Sequence, residues 1–346
     1  MTIVDGPGIA IGIGVRYRDV VSDRWPAIVA PQHDELLSSW LRRLAYANGV
    51  APRAFARVLG LDPGMRAASV DLRLPADVAR LLHAHTGLSL RKLSAMPMTS
   101  SPLKPLLLPL RSDGRRGSST WLQFCPRCLA DDAQPYFRRR WRFATQVSCL
   151  IHGCGLRDRC PSCANRIAAF DQDELVPQHF CDICGFDLRR ASNVAVRAPA
   201  RRLDRCINDI CRLEAITGSL TTSSLVQRLL DMPASAGVYP TLNLVGLSTA
   251  ARIRCMERLA EQPVNWLTTE DDAVVAHRRR LILAAGGHAP LIAHIVTTLE
   301  RRAQRHLPTS RPPPAAELPA VLGAYLRIRE AAPASPRRNR GPVGDK

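Results

Sequence analysis

Four pairs of soft-metal ligands stand out in the chain: Cys125-Pro-Arg-Cys128, Cys149-Leu-Ile-His152, Cys160-Pro-Ser-Cys163 and Cys181-Asp-Ile-Cys184. Two ligands three positions apart share one tight turn. That turn aims both side chains, and the backbone N–H groups beside them, at one point. Two such knuckles close a tetrahedral site. Twenty residues separate the first two knuckles and seventeen the second two. Pairing in chain order gives a Cys₃His set of Cys125, Cys128, Cys149 and His152, and a Cys₄ set of Cys160, Cys163, Cys181 and Cys184. Thiolates and imidazole suit zinc, which is inert to redox. A shell of four protein ligands is structural, because no position is left for substrate. Two structural Zn²⁺ ions are therefore the expected cofactors. Spacing alone leaves open a crossed pairing, Cys149/His152 with Cys160/Cys163, and an iron–sulfur cluster, against which the histidine argues. Cys154, Cys206, Cys211 and Cys255 are left over and read as small buried apolar residues.

No catalytic constellation accompanies these ligands. There is no Ser-His-Asp order, no HExxH helix and no P-loop, and no catalytic residue is expected. Asp131-Asp132 and Glu270-Asp271-Asp272 read as helix starts. His83 and His85 read as packing or surface groups on a helix. Gly8, Gly12 and Gly14 lack the strand–turn–helix context of a phosphate loop.

The charge points to a polyanionic partner. Lys+Arg number 48 against 30 Asp+Glu, a net charge of +18. Only Lys92, Lys104 and Lys346 are lysines. A GC-rich genome explains the preference for arginine over lysine but not the shortage of acids. Two zinc–thiolate sites lower the net charge only to +15, which still favours nucleic acid. Residues 111–166 hold eleven arginines against four aspartates. Within them, Tyr136-Phe137-Arg138-Arg139-Arg140-Trp141-Arg142-Phe143 interleaves aromatic and basic side chains. Arg138, Arg139, Arg140 and Arg142 are thus candidate phosphate contacts, with the aromatics free to stack on bases. The alternative is that Tyr136, Trp141 and Phe143 pack on the knuckles and the arginines are merely solvated.

The elements that must position these residues are mostly helical. Asp34 can cap a helix with Glu35 in its first turn, and Leu37, Trp40, Leu41 and Leu44 form its stripe. Asn48-Gly49 ends that helix, and Pro52 starts a second one with Phe55, Val58 and Leu59 inward, stopped by Gly60. The pattern recurs: Val78, Leu81 and Leu82, then Gly87, then Ser89 as a cap before Leu90, Leu93 and Met96. Leu44, Gly49 and Phe55 keep the spacing of Leu82, Gly87 and Leu93, so 34–97 reads as two helix–turn–helix units. The expected fold class is mainly α. Its parts are a loose leader (1–24), a helix–turn–helix domain with linker (25–120), two tandem zinc ribbons (121–190), a C-terminal helical domain (191–307) and a Pro/Arg-rich disordered tail (308–346). In the helical domain, helices are expected near 200–217, 221–231, 248–262, 270–285 and 289–306. In the tail, one short helix is expected near Leu318 to Arg329. The apolar stretch from Leu281 to Val296 is broken by glycine, proline and histidine, and Ile9 to Val15 lacks the flanks of a signal peptide. A cytoplasmic location follows as the expectation.

The run Leu36-Leu37-Ser38-Ser39-Trp40-Leu41-Arg42-Arg43-Leu44-Ala45 resembles the opening of the TniQ family. The order that follows also matches: Asn48-Gly49, Thr86-Gly87-Leu88-Ser89, Cys125-Pro-Arg-Cys128-Leu129, Trp141, Cys149-Leu-Ile-His152-Gly153, Leu156, Arg159-Cys160-Pro-Ser-Cys163. The resemblance covers roughly residues 25–190. It implies a non-enzymatic accessory role in DNA transposition, in which the protein connects a target-recognising element to an AAA+ ATPase of the TniB/TnsC kind. Some members of the family bind target DNA directly; others dock on an RNA-guided complex, often as a dimer. It also implies that the two ligand sets named above each hold a zinc. Two rival functions use the same parts: a free-standing DNA-binding transcription regulator, and a metal-dependent nuclease. The nuclease would need a carboxylate cluster or an incomplete zinc shell, and neither is visible.

Overall fold

The computed structural model describes residues 24–61, 68–98, 101–110, 119–167, 173–262, 265–270, 272–306 and 323. The leader 1–24 except Arg24, and the tail 308–346 with its expected helix except Gly323, lie outside the described residues. The described residues up to Leu291 belong to one compact unit, and those from Ile292 onward to a second.

Helices dominate, as expected. The N-terminal set is α1 (Leu37–Ala47), α2 (Pro52–Val58), α3 (Ala76–Thr86) and α4 (Leu90–Ser94). α5 (Pro126–Asp131) carries the first knuckle. Then come α6 (Ala198–Thr217), α7 (Leu225–Leu230), α8 (Met232–Ser235), α9 (Thr249–Leu259), α10 (Asn265–Thr268), α11 (Ala273–Ala285) and α12 (His288–His306). No strand forms among the described residues; pairing is limited to isolated bridges. In the second unit, Ile292, Ile295, Val296 and Leu299 on α12 are 43–58% exposed. No single helix among the described residues is long and apolar enough to cross a membrane.

The local signals act largely as the sequence suggests. Gly49 (φ 68°) follows the C-cap Asn48 of α1, and Gly87 (φ 73°) caps α3, both in the left-handed region that side-chain-bearing residues avoid. The Ser89 hydroxyl accepts the Lys92 N–H and caps α4. Trp40, Leu41, Leu44, Phe55, Val78, Leu82 and Leu93 are buried together in the N-terminal core. Two expected inward residues, Val58 at the end of α2 and Leu90 at the start of α4, are instead 62% and 45% exposed.

Asp34 and Glu35 depart from expectation. Asp34 does not cap α1. It lies at φ 60°, its carboxylate pairs with Arg140, and its carbonyl accepts the Arg139 N–H. Glu35 is buried ahead of the helix, where it bonds the Gln32 N–H, Ser39 Oγ and Arg43. α1 starts only at Leu37; Leu36 ahead of it is extended (ψ 142°), with its N–H held by the Phe137 carbonyl at 2.9 Å. Asp131 and Asp132, read as a helix start, stand at the end of α5 instead.

From Leu37 to Ala45 α1 is buried on all sides, so its polar residues must find partners inside. Ser38 donates from both N–H and Oγ to Asp71, at 2.8 and 2.9 Å. Arg42 donates to the Val176 carbonyl, and Arg43 to Glu35 and Gln134. α1 is therefore a strut whose polar side chains reach the segments carrying the knuckles.

Candidate metal centres

The knuckles fold by a shared device. At Cys149, Cys160 and Cys181 the cysteine carbonyl accepts the N–H four residues on, from Gly153, Ala164 and Gly185. The cysteine N–H returns to the carbonyl five residues on, of Cys154, Asn165 and Phe186. The residue at the fourth position is left-handed each time, at φ 65°, 59° and 69°. This explains the glycine after His152 and after Cys184, and it leaves Ala164 in a conformation alanine disfavours. Single bridges frame these turns: Ser148↔Gly155, Arg159↔Arg166 and Phe180↔Asp187. The ribbons expected from sequence are thus knuckles closed by one bridge each. The first knuckle is different. Cys125 is the N-cap of α5, its sulfur accepting the Cys128 N–H, with Pro126 in the first turn.

Folding brings the ligands together in chain-order pairs. The donor atoms of Cys125, Cys128, Cys149 and His152 all lie within 4.8 Å of one another, as do those of Cys160, Cys163, Cys181 and Cys184. The crossed pairing is not what the structure builds. In the first centre, His152 Nδ1 stands 3.5, 3.3 and 3.5 Å from the sulfurs of Cys125, Cys128 and Cys149. In the second, Cys160 and Cys184, and Cys163 and Cys181, are 3.6 Å apart between sulfurs. A zinc tetrahedron with Zn–S bonds of about 2.3 Å has edges of about 3.8 Å. The spacing and the soft donors both fit zinc.

Three features of the first centre were not legible in the sequence. Asp131 Oδ2 lies 2.8 Å from His152 Nε2, the nitrogen turned away from the sulfurs. A carboxylate there fixes the tautomer that leaves Nδ1 free to ligate. Cys154, read as a leftover, places its sulfur 3.5 Å from Cys125 Sγ, outside the set of four. Two side chains also tie the centre to the C-terminal helices. Asp204 on α6, fully buried, accepts the Ser148 N–H at 2.8 Å and the Ser148 hydroxyl, directly ahead of Cys149. Gln123, two residues before Cys125, donates to the carbonyls of Trp141, Phe143 and Gln146 and accepts from Thr249 and Arg252 on α9. The remaining cysteines behave as expected. Cys206, Cys211 and Cys255 are buried, and desolvation pushes their thiols up to about 11, 12 and 11. At neutral pH they are inert.

Two arginines of the strip, Arg138 and Arg142, are taken up by the core. Arg142 is wholly buried, 3.3 Å from Asp71, with its guanidinium over the Trp121 ring. Arg138 is buried, paired with Asp132 at 2.8 Å and stacked on Tyr136 and Trp141. Arg139 donates to the Ala95 carbonyl, and Arg140 pairs with Asp34. The interleaved aromatics fill the core around Cys125 and Cys128, and the arginines knit that core to the N-terminal helices. A fully desolvated Arg142 is beyond the reach of a DNA phosphate. Periodicity could not reveal this, because Asp71 and Asp132 are brought in by the fold.

Residues 26–156 match the family model TniQ. No curated protein matches the chain. The matched segment contains α1 with its buried polar residues, the N-terminal helix pairs and all four ligands of the first centre, and over this segment the chain is similar to the TniQ family.

Proposed function

We propose that this chain is a non-enzymatic accessory protein of DNA transposition. It selects the target site by linking target DNA, or a target-recognising complex, to an AAA+ ATPase regulator of the transposase, of the TniB/TnsC type. The observation that carries this reading is the TniQ match, which encloses one complete ligand set. Each set offers four protein donors, so zinc bound there has no open position for a substrate. Cys125, Cys128, Cys149 and His152 hold one ion and Cys160, Cys163, Cys181 and Cys184 the other, and the zinc supplies rigidity, not chemistry. In this reading α1/α2 and α3/α4 serve as helix–turn–helix units and the protein works in the cytoplasm.

The test counts insertions at the specific target and at random sites, with a cognate transposase and an AAA+ ATPase of the TniB/TnsC type. Removing the chain is expected to abolish insertion at the specific target while strand cutting by the purified transposase persists. A pull-down should recover the ATPase with a chain spanning residues 25–307. If removal leaves target choice unchanged, or stops all cutting, the adaptor reading is wrong.

A further inference from the structure

A cavity of about 530 Å³ opens between the Cys149–His152 knuckle and α6. Arg201, Arg202 and Arg205 of α6 line it, facing Gly153 on one side and Gly286 on the other. No carboxylate contributes to its lining. Arg43, Arg138, Arg142 and Arg279, by contrast, are each paired with an acid: Glu35, Asp132, Asp71, and Glu214 with Glu270.

Of the three arginines, only Arg202 has a side-chain partner among the described residues, the Ala284 carbonyl at 2.7 Å. Arg201 and Arg205 make no side-chain hydrogen bond or ion pair among the described residues, and Arg201 Nε is a buried donor with nothing to receive it. Positions 201 and 205 are one turn apart, so both guanidiniums project from the same face of α6. Arg201 lies in the first turn of α6, where the helix dipole favours negative charge. The glycines keep the space open. A Cβ on Gly153 would come within 2.6 Å of Arg201 Nη1, and one on Gly286 within 2.6 Å of Arg202 Nε.

We propose that this cavity is a phosphate site for the DNA backbone, with Arg201 and Arg205 as its donors and Arg202 fixed beside them. The proposal rests on the transposition reading only in taking DNA as the source of the phosphate. Planar guanidinium forks with unmet donors match phosphate oxygens. Positions on one helix face can follow successive phosphates without reading sequence. The net charge of +18 favours the same ligand. The site takes a role that the buried Arg138 and Arg142 cannot fill.

The experiment uses the full, zinc-loaded chain and a short duplex of arbitrary sequence, with affinity measured by fluorescence anisotropy across a salt series. Each lost phosphate contact removes about 0.9 from the slope of log affinity against log salt, so Arg201→Gln with Arg205→Gln should flatten it by about 2. Zinc content and melting temperature should stay at wild-type values. A slope equal to wild type overturns the proposal, as does a wild-type chain that binds no duplex. Loss of zinc in the variant also overturns it, since the arginines would then serve the metal centre. So does loss of ATPase pull-down with an unchanged salt slope, which would mark the cavity as a seat for an acidic protein segment. The adaptor reading is judged separately by the insertion count. A flattened slope with target choice independent of this chain would keep the phosphate site and remove the adaptor, and the reverse result would do the opposite.

Discussion

Asp131 sits beside the first metal centre without belonging to its ligand set, and its removal should loosen one zinc and leave the other. Its carboxylate is 2.8 Å from His152 Nε2, while Nδ1 faces the three sulfurs. Loss of a carboxylate behind a ligating histidine typically weakens metal binding by about 10–100-fold, or about 1.4–2.7 kcal/mol. The structure decides where in that range this site falls. The histidine side chain is only 8% exposed, but the aspartate is 65% exposed, so water screens the pair and can replace the acceptor. Asp131→Ala should therefore weaken the first centre by about tenfold, the lower end of the range. Asp131→Asn keeps an acceptor oxygen and should cost less. The assay is equilibrium competition with a chromophoric chelator, which resolves the two zincs by affinity. Centre two, built from cysteines remote from Asp131, should titrate as in the wild type. The reasoning is refuted if Asp131→Ala holds both zincs as tightly as wild type, or if it weakens both equally.

Arg142→Ala should destabilise the chain by about 3–5 kcal/mol in denaturant unfolding, because it strands the fully buried carboxylate of Asp71; a change under about 1 kcal/mol would show that the pair is not desolvated. Ala164→Gly should raise stability by about 0.5–1 kcal/mol, since relief of a left-handed alanine exceeds the entropy that glycine adds to the unfolded chain; a lower melting midpoint would contradict the φ of 59°. Burial pushes the Asp204 carboxyl up to about 7, so the folded chain holds its proton where the unfolded chain has lost it. That contribution is complete below the unfolded value near 4 and is lost as pH rises through 7, a fall of about 1.4 kcal/mol between pH 6 and pH 8 in zinc-loaded protein. Asp204→Asn should remove this part of the pH dependence, and an unaltered profile would place the titration elsewhere.

The sequence by itself determined what short-range chemistry can encode. Ligand identity and the three-residue spacing within each knuckle are local, so the eight metal ligands could be read directly and their pairing narrowed to two schemes. Helix ends were legible for the same reason: Gly49, Gly87 and Ser89 act through their own backbone or a bond to a neighbour three residues away. The family resemblance opens on α1, and the structure shows why that helix has so distinctive a sequence. Ser38, Ser39, Arg42 and Arg43 are polar residues inside a core, each with a partner there. Tertiary structure alone decided which of the many arginines face solvent. A guanidinium is accommodated in a core when polar partners arrive to meet it, and the partner of Arg142, Asp71, is seventy-one positions away. The same holds for Asp34, where the pull of Arg140 across the fold outweighed a local capping preference. It holds again for Asp204 and for the cavity at Arg201 and Arg205, since α6 meets the Cys149 knuckle only after the intervening chain has folded back. Spacing can specify a turn, but burial and charge pairing depend on long-range contacts that no local pattern records.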